Sequence, residues 1–194
     1  MNPVVVMLHG RGAGPENILD LVPRLGRPQF HYVAPAAPNR TWYPHSFMAE
    51  IQKNEPFLSN ALAEVRTAVE AAESSSGSRD RIVLLGFSQG ACLATEFMIR
   101  NASRFGGLIA FSGGAIGPPG TGWNESGSFA GTPMFFGCSD VDAHVPEARV
   151  RESAAVCERM GATVTTKIYP GMGHLVNDDE IAHAQALLDE VLRS

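Results

Sequence analysis

Residues 82–100, IVLLGFSQGACLATEFMIR, indicate the architecture of the chain most clearly. Its first six residues, Ile82–Phe87, form a continuous apolar run, which is typical of a central strand buried on both faces. From Gly90 to Arg100 the apolar side chains recur with a helical period. We therefore predict that a buried strand turns sharply into a helix at Gly86-Phe87-Ser88-Gln89-Gly90.

Outward from this stretch, the chain alternates between short β-rich runs and segments of helical period. The predicted strands are Val4–Leu8, Tyr32–Ala34, Ile82–Phe87, Gly107–Phe111, Met134–Gly137 and Thr163–Tyr169. The predicted helices are Glu16–Leu25, Asn60–Glu73, Gly90–Arg100, Glu147–Met160 and Asp178–Leu192. Residues 39–55 are predicted to be irregular, and residues 113–131 to form a long surface loop. The alternation predicts an α/β fold with a mostly parallel central sheet, helices on both faces, one domain over residues 1–194 and no large cap domain.

Composition narrows the classes of partner. The 194 residues include 15 basic and 20 acidic side chains, for a net charge of −5, which makes nucleic acid and anionic membranes poor partners. The N-terminal apolar run Val4–Leu8 is short and has no basic leader, so we expect no signal peptide, no membrane span and a cytoplasmic location.

Cys92, Cys138 and Cys157 are scattered through apolar or helical stretches, which predicts buried thiols rather than disulfides.

The turn around Ser88 has the residue types that an exposed nucleophile needs. A strand that turns directly into a helix leaves its apex residue in a strained backbone conformation, and side chains two positions away would collide with neighbouring backbone. Glycine is therefore expected at Gly86 and Gly90. The Ser88 hydroxyl would then project above the sheet, and the backbone amide of Gln89 would be free to donate to an oxyanion.

A serine hydroxyl is a weak nucleophile unless a base activates it and an acid orients that base. His174 is the candidate base, because it follows the last predicted strand in a loop that precedes the final helix. The acid is expected after the strand Met134–Gly137, where the residues themselves leave Asp140 and Asp142 as alternatives. The spacing of Asp140, Asp142 and His144 also suggests a metal site, but three ligands on one loop converge poorly, so no metal is predicted.

A second oxyanion donor is expected from the loop after the first strand, His9-Gly10-Arg11-Gly12. Either Arg11 or Gly12 would supply its backbone amide to that site. We interpret His9 as a buried, hydrogen-bonded side chain rather than a catalytic group.

Four motifs match a known family in order: Leu8-His9-Gly10-x-Gly12, the Ser88 turn, Asp142-x-x-Val145-Pro146 and Gly171-Met172-Gly173-His174. Across essentially its whole length the chain resembles the phospholipase/carboxylesterase family of α/β-hydrolases, which includes bacterial carboxylesterases and acyl-protein thioesterases. The resemblance implies a catalytic triad of Ser88, His174 and Asp142, and it implies that Arg11 supplies the second oxyanion amide. It further implies that Trp42 and Tyr43, in a loop similar to the family's aromatic loop, line the substrate pocket.

These observations predict a serine carboxylesterase that hydrolyses small esters without a cofactor. A thioesterase, a lysophospholipase and a ligand-binding protein without turnover are the alternatives. The family commonly has an apolar residue at the position of Arg11, so a basic side chain there favours an acidic or polar substrate group. An exposed apolar patch around Phe47, Met48 and Phe57 would be a substrate groove or the surface of a homodimer.

Overall fold

In the computed structural model, which describes residues 1–193, the run Ile82–Phe87 is the third strand of a six-stranded sheet. The strands are β1 (Val4–Leu8), β2 (His31–Val33), β3 (Ile82–Phe87), β4 (Gly107–Phe111), β5 (Pro133–Ser139) and β6 (Thr163–Tyr169). They lie in the order β2-β1-β3-β4-β5-β6, and every neighbouring pair is parallel. The predicted α/β class and parallel sheet are confirmed.

Helices cover both faces of this sheet. They are α1 (Pro15–Leu19), α2 (Val22–Leu25), α3 (Ile51–Asn54), α4 (Phe57–Ser76), α5 (Gln89–Arg100), α6 (Glu147–Arg159) and α7 (Asp178–Arg193). Alternate side chains of β1 enter different cores: Val4, Val6 and Leu8 pack with α4, α5 and α6, whereas Val5 and Met7 pack with α1, α2 and α7. A strand covered on both faces needs apolar residues at every position, which explains the uninterrupted runs of β1 and β4.

The edge strand β6 is not covered completely, so its residues alternate between exposed and partly buried. Thr163, Thr165 and Lys167 are exposed, and the residues between them are partly buried. Polar and charged side chains on an edge strand disfavour pairing with another chain.

Several predicted boundaries differ from the structure. The helix predicted over Glu16–Leu25 is two short helices, α1 and α2, and Pro23 lies in the first turn of the second, where its missing amide hydrogen costs no helical bond. The helix predicted over Asn60–Glu73 is longer and runs from Phe57 to Ser76. Residues 39–55, predicted to be irregular, include a 3₁₀ turn and α3.

The prediction of a surface loop over 113–131 is wrong for its first part, because residues 113–117 are buried. Buried backbone outside a sheet must find other hydrogen-bond partners. The Glu96 carboxylate accepts from the Ile116 amide at 2.9 Å, and the Arg149 guanidinium donates to the carbonyls of Ala115 and Gly117 at 2.9 and 2.7 Å. Two charged side chains, one from α5 and one from α6, therefore hold this segment inside the fold.

The predicted burial of the three thiols is confirmed, since Cys92, Cys138 and Cys157 are all free and buried. Among the helices of residues 1–193, none is both long and apolar enough to cross a lipid bilayer.

Candidate active site

The site is built on the turn between β3 and α5. Ser88 lies at the apex of this turn with φ 55° and ψ −120°, a conformation that non-glycine residues rarely adopt. A Cβ on Gly86 would lie 2.5 Å from the backbone of Gly90, and a Cβ on Gly90 would overlap the carbonyl of Leu8. The two glycines thus let β1, β3 and α5 approach closely enough to hold Ser88 at the apex.

Three side chains that are distant in sequence form a hydrogen-bonded line above this turn. His174 Nε2 lies 2.9 Å from Ser88 Oγ, and His174 Nδ1 lies 2.7 Å from Asp142 Oδ2. The other oxygen of Asp142 accepts from the amides of His144 and Val145 at 2.8 and 2.9 Å. The Asp142 side chain has no solvent exposure and that of His174 is 21% exposed, so this line runs from the interior to the floor of an open cleft.

The environment of Asp142 keeps its carboxyl group ionised. Burial raises the pKa of Asp142, but the hydrogen bond to His174 and those from the amides of His144 and Val145 outweigh that effect. The pKa of Asp142 consequently lies below its ordinary value of 3.8. A fixed negative charge at this position favours the imidazole tautomer with its proton on Nδ1 and stabilises an imidazolium.

The structure separates the two candidate aspartates. Asp140 is exposed and does not contact His174; its Oδ1 accepts from the amide of Gly171 at 2.8 Å. Ser139 makes a related contact, since its Oγ accepts from the amide of Gly173 at 3.0 Å. Both residues hold the loop that carries His174, whereas Asp142 contacts the imidazole itself.

Two backbone amides near Ser88 have no acceptor. Neither the Arg11 amide nor the Gln89 amide makes a hydrogen bond to another residue within the described part of the chain. The Gln89 amide lies at the N-terminus of α5, where the helix dipole favours negative charge. Both amides are therefore free to donate, and their use as oxyanion donors stays a prediction.

The Gln89 side chain has a role that sequence reasoning missed. Its Oε1 accepts from the Trp42 amide at 3.0 Å, and its Nε2 donates to the Tyr43 carbonyl at 2.8 Å. One side chain therefore fixes the aromatic loop against the turn that carries Ser88. A glutamine beside a nucleophile motif is the available signal, but its partners are 46 and 47 residues away and cannot be read from the motif.

The predicted aromatic pair divides between two environments. Tyr43 lines the cleft, whereas Trp42 is absent from that lining and lines a neighbouring pocket. Trp42 stacks on the His9 ring with centroids 5.0 Å apart, and its indole donates to the His9 carbonyl at 2.9 Å. His9 is buried and accepts from the Ala37 amide at 3.1 Å, which agrees with its interpretation as a hydrogen-bonded interior residue.

The cleft above Ser88 has a volume of about 460 Å³. Its apolar lining includes Tyr43, Phe47 and Phe87, and its polar side chains include Arg11, His45, His144 and His174. Among residues 1–193, no aspartate or glutamate lines it. The predicted exposed patch of Phe47, Met48 and Phe57 is wrong as a single surface. Phe47 is only 7% exposed and faces the cleft, whereas Phe57 is 55% exposed and lines a neighbouring pocket.

Arg11 connects the two walls of the cleft. Its guanidinium donates to the carbonyls of Pro44 and His45 at 2.8 and 2.7 Å. The loop after β1 is thereby joined to the loop after β2, and the Arg11 side chain has a defined position at the mouth.

A parallel sheet with a strained serine between a strand and a helix, and a histidine and an acid that follow it in the chain, is the arrangement of an α/β-hydrolase. The family model described as Phospholipase/Carboxylesterase matches residues 1–192, and the chain belongs to that family.

Individual relatives agree with this assignment. The chain is 30% identical to acyl-protein thioesterase 1 of Gibberella zeae over 123 residues and 29% identical to that of Saccharomyces cerevisiae over 119 residues. These alignments cover 58% and 59% of the chain and 49% and 52% of the relatives, so the chain spans about half the length of these proteins.

Solved structures extend the likeness over the whole chain. A phospholipase/carboxylesterase from Dyadobacter fermentans is 41% identical, with a TM-score of 0.90 over 98% of this chain and 90% of that one. Esterase PE8, at 24% identity, has a TM-score of 0.82 over 98% of this chain and 93% of its own and supports the fold alone. The comparisons support a hydrolase of the α/β type.

Proposed function

We propose that this chain is a serine carboxylesterase that hydrolyses small carboxylic esters through an acyl-enzyme. The observation that carries the proposal is the hydrogen-bonded line from Ser88 through His174 to Asp142 at a strained strand-to-helix turn. A serine, an imidazole and a buried carboxylate in this order are the groups that acyl transfer requires.

In the first step His174 Nε2 takes the proton of the Ser88 hydroxyl as Oγ attacks the ester carbonyl. Asp142 holds the imidazole in the required tautomer and stabilises the positive charge that it acquires. The negative charge that develops on the carbonyl oxygen is received by the amides of Arg11 and Gln89. Losing one such donor typically raises the barrier by about 3–4 kcal/mol.

The tetrahedral intermediate collapses when the protonated His174 donates its proton to the leaving alkoxide, which departs as the alcohol and leaves the acyl group on Ser88. A water molecule then gives its proton to His174 and attacks the acyl carbonyl, and Ser88 is regenerated as the acid is released. Every proton transferred in these two steps passes through Nε2 of His174, and the proposed mechanism uses no metal or organic cofactor.

A thioester is the second candidate substrate, because the relatives from Gibberella zeae and Saccharomyces cerevisiae are acyl-protein thioesterases. The same three side chains would perform that reaction, with a thiolate as the leaving group. Assaying p-nitrophenyl acetate beside S-acetyl-N-acetylcysteamine distinguishes the two, since they share an acyl group and differ in the leaving atom.

The nucleophile is tested by incubating the protein with a fluorophosphonate and mapping the labelled peptide by mass spectrometry. We expect the label on Ser88, and we expect Ser88→Ala to lower kcat for p-nitrophenyl acetate by about 10⁴-fold or more. Ser74→Ala, on the exposed face of α4, is the matched control and is expected to keep full activity. An unlabelled Ser88 with activity that survives the substitution would contradict the assignment, and labelling without turnover of any ester or thioester would indicate a binding protein.

A further inference from the structure

The charge of the cleft differs from that of the whole chain. The chain has 20 acidic and 15 basic residues, yet the described cleft lining contains one arginine, three histidines and no aspartate or glutamate. Asp142, the carboxylate that contacts His174, has no solvent exposure, and its oxygens accept from His174 and from two amides. A substrate in the cleft therefore meets basic side chains and no exposed carboxylate.

Arg11 is the permanent charge in this lining, and no carboxylate neutralises it. Eight other arginines pair with an acidic side chain, but within residues 1–193 Arg11 has no ion-pair partner. Glu16, the carboxylate closest to it in sequence, pairs with Arg40 at 3.0 Å. The guanidinium consequently retains its full positive charge at the mouth of the cleft.

The contacts of Arg11 fix its position without cancelling that charge. The carbonyls of Pro44 and His45 accept one hydrogen each from its two terminal nitrogens. A guanidinium has five N–H groups, so three remain available to an incoming acceptor. A planar donor held in place by neutral carbonyls loses little side-chain entropy when it binds a carboxylate or phosphate oxygen.

We propose that the natural substrate is an anionic ester whose carboxylate or phosphate group is bound by Arg11 while Ser88 attacks the ester carbonyl. This inference rests on the proposed esterase function and adds the substrate class. Arg11 then has two parts in the site: its amide faces the developing oxyanion, and its guanidinium selects for a negative group elsewhere on the substrate.

Two matched pairs of esters test the inference and locate the anion. On the acyl side, mono-p-nitrophenyl adipate is compared with p-nitrophenyl hexanoate; on the alcohol side, 3-acetoxyphenylacetate is compared with 3-acetoxyphenylacetamide. In at least one pair we expect kcat/KM for the anionic ester to exceed that for the neutral ester by about fivefold at low ionic strength. The ratio is expected to fall as salt is added.

Variants assign the preference to the guanidinium. Arg11→Gln is expected to bring the anionic-to-neutral ratio of kcat/KM close to one, and Arg11→Lys to keep part of the preference because it keeps the charge. Arg66→Gln, on the exposed face of α4, removes the same charge outside the cleft lining and is expected to leave the ratio unchanged.

A wild-type ratio near one in both pairs, with the neutral esters turned over, would overturn the inference and leave the esterase function standing. If the anionic-to-neutral ratio of kcat/KM stays as high in Arg11→Gln as in the wild type, the inference is overturned as well. Failure to hydrolyse any of the four esters, together with an unlabelled Ser88, would instead remove the proposed function and the inference with it.

Discussion

Among the single side chains of the site, the two aspartates after β5 show how small differences in position change a role. Asp142 contacts the imidazole of His174 at 2.7 Å, and Asp140 contacts the backbone of Gly171 at 2.8 Å. We predict that Asp142→Asn lowers kcat for p-nitrophenyl acetate by about 10³- to 10⁴-fold, because an amide no longer stabilises the required tautomer or the imidazolium. Steady-state kinetics at pH 7 provide the measurement.

Asp140→Asn is the matched control for that substitution, since it makes the same chemical change two residues away. An asparagine oxygen still accepts from the Gly171 amide, so we expect kcat to change by less than about threefold. If kcat falls equally in the two variants, and circular dichroism shows that both are folded, activity depends on the loop and not on the Asp142 carboxylate.

The turn between β3 and α5 depends on backbone contact rather than on any side chain. A Cβ on Gly90 would overlap the main chain of Leu8, and backbone on both sides prevents relaxation. We predict that Gly90→Ala lowers the free energy of unfolding by about 3 kcal/mol or more, measured by urea denaturation.

Gly122→Ala is the control for this prediction, because no atom lies within 4 Å of a Cβ at that position. It is expected to change the free energy of unfolding by less than about 0.5 kcal/mol. A Gly90→Ala protein as stable as the wild type would mean that β1 and α5 are not packed as closely as the structure has them.

The first turn of α7 contains a buried carboxyl group, Glu180, whose anion is destabilised. Glu180 Oε2 accepts from the Asn177 amide, and Asn177 Oδ1 accepts from the Glu180 amide, a reciprocal pair that caps the helix. Glu180 Oε1 is buried with no hydrogen-bond partner in the described part of the chain. Burial raises the pKa of Glu180 from 4.5 to about 7, even though a helix N-terminus favours an anion.

The sign of the resulting pH dependence follows from this shift. The folded protein holds the Glu180 proton up to about pH 7, whereas the unfolded chain releases it near pH 4.5. The stability that the protonated group contributes is therefore complete below about pH 4.5 and is lost as the pH rises to 7. We predict that the free energy of unfolding of the wild type falls by about 3 kcal/mol relative to Glu180→Gln across this interval.

Urea unfolding of both proteins at pH 4.5, 6 and 8 measures this difference, and the comparison cancels the titration of all other groups. A difference that is constant with pH would mean that Glu180 is ionised in the folded state.

For the molecule as a whole, the sequence predicts most strands of the sheet, but it predicts few of the contacts between the loops that surround the site. Uninterrupted apolar runs identify β1, β3 and β4 because strands covered on both faces admit few polar residues. Segment 113–117 is misassigned because its burial depends on Glu96 and Arg149, which lie on helices that are remote in the chain.

The same limit applies to the site. Local pattern predicts Ser88 at its turn, and chain order points to His174. Neither separates Asp140 from Asp142, for which resemblance to a family is needed. The contacts of Gln89 with the aromatic loop and of Arg11 with Pro44 and His45 join distant segments, and nothing in the spacing of those residues indicates them.

The three cysteines provide a measurement of how firmly one face of the sheet is sealed. Cys92 on α5, Cys138 on β5 and Cys157 on α6 belong to the same core, and burial raises the pKa of each thiol to about 12. A thiol reacts as its thiolate, so we predict that N-ethylmaleimide labels all three cysteines of the native protein only at a common slow rate, which global unfolding sets. Peptide mass spectrometry over time, with and without urea, gives the three rates. Fast labelling of Cys92 alone would contradict the prediction and show that reagent reaches the core through the cleft, whose lining includes Tyr43, Gln89 and Cys92.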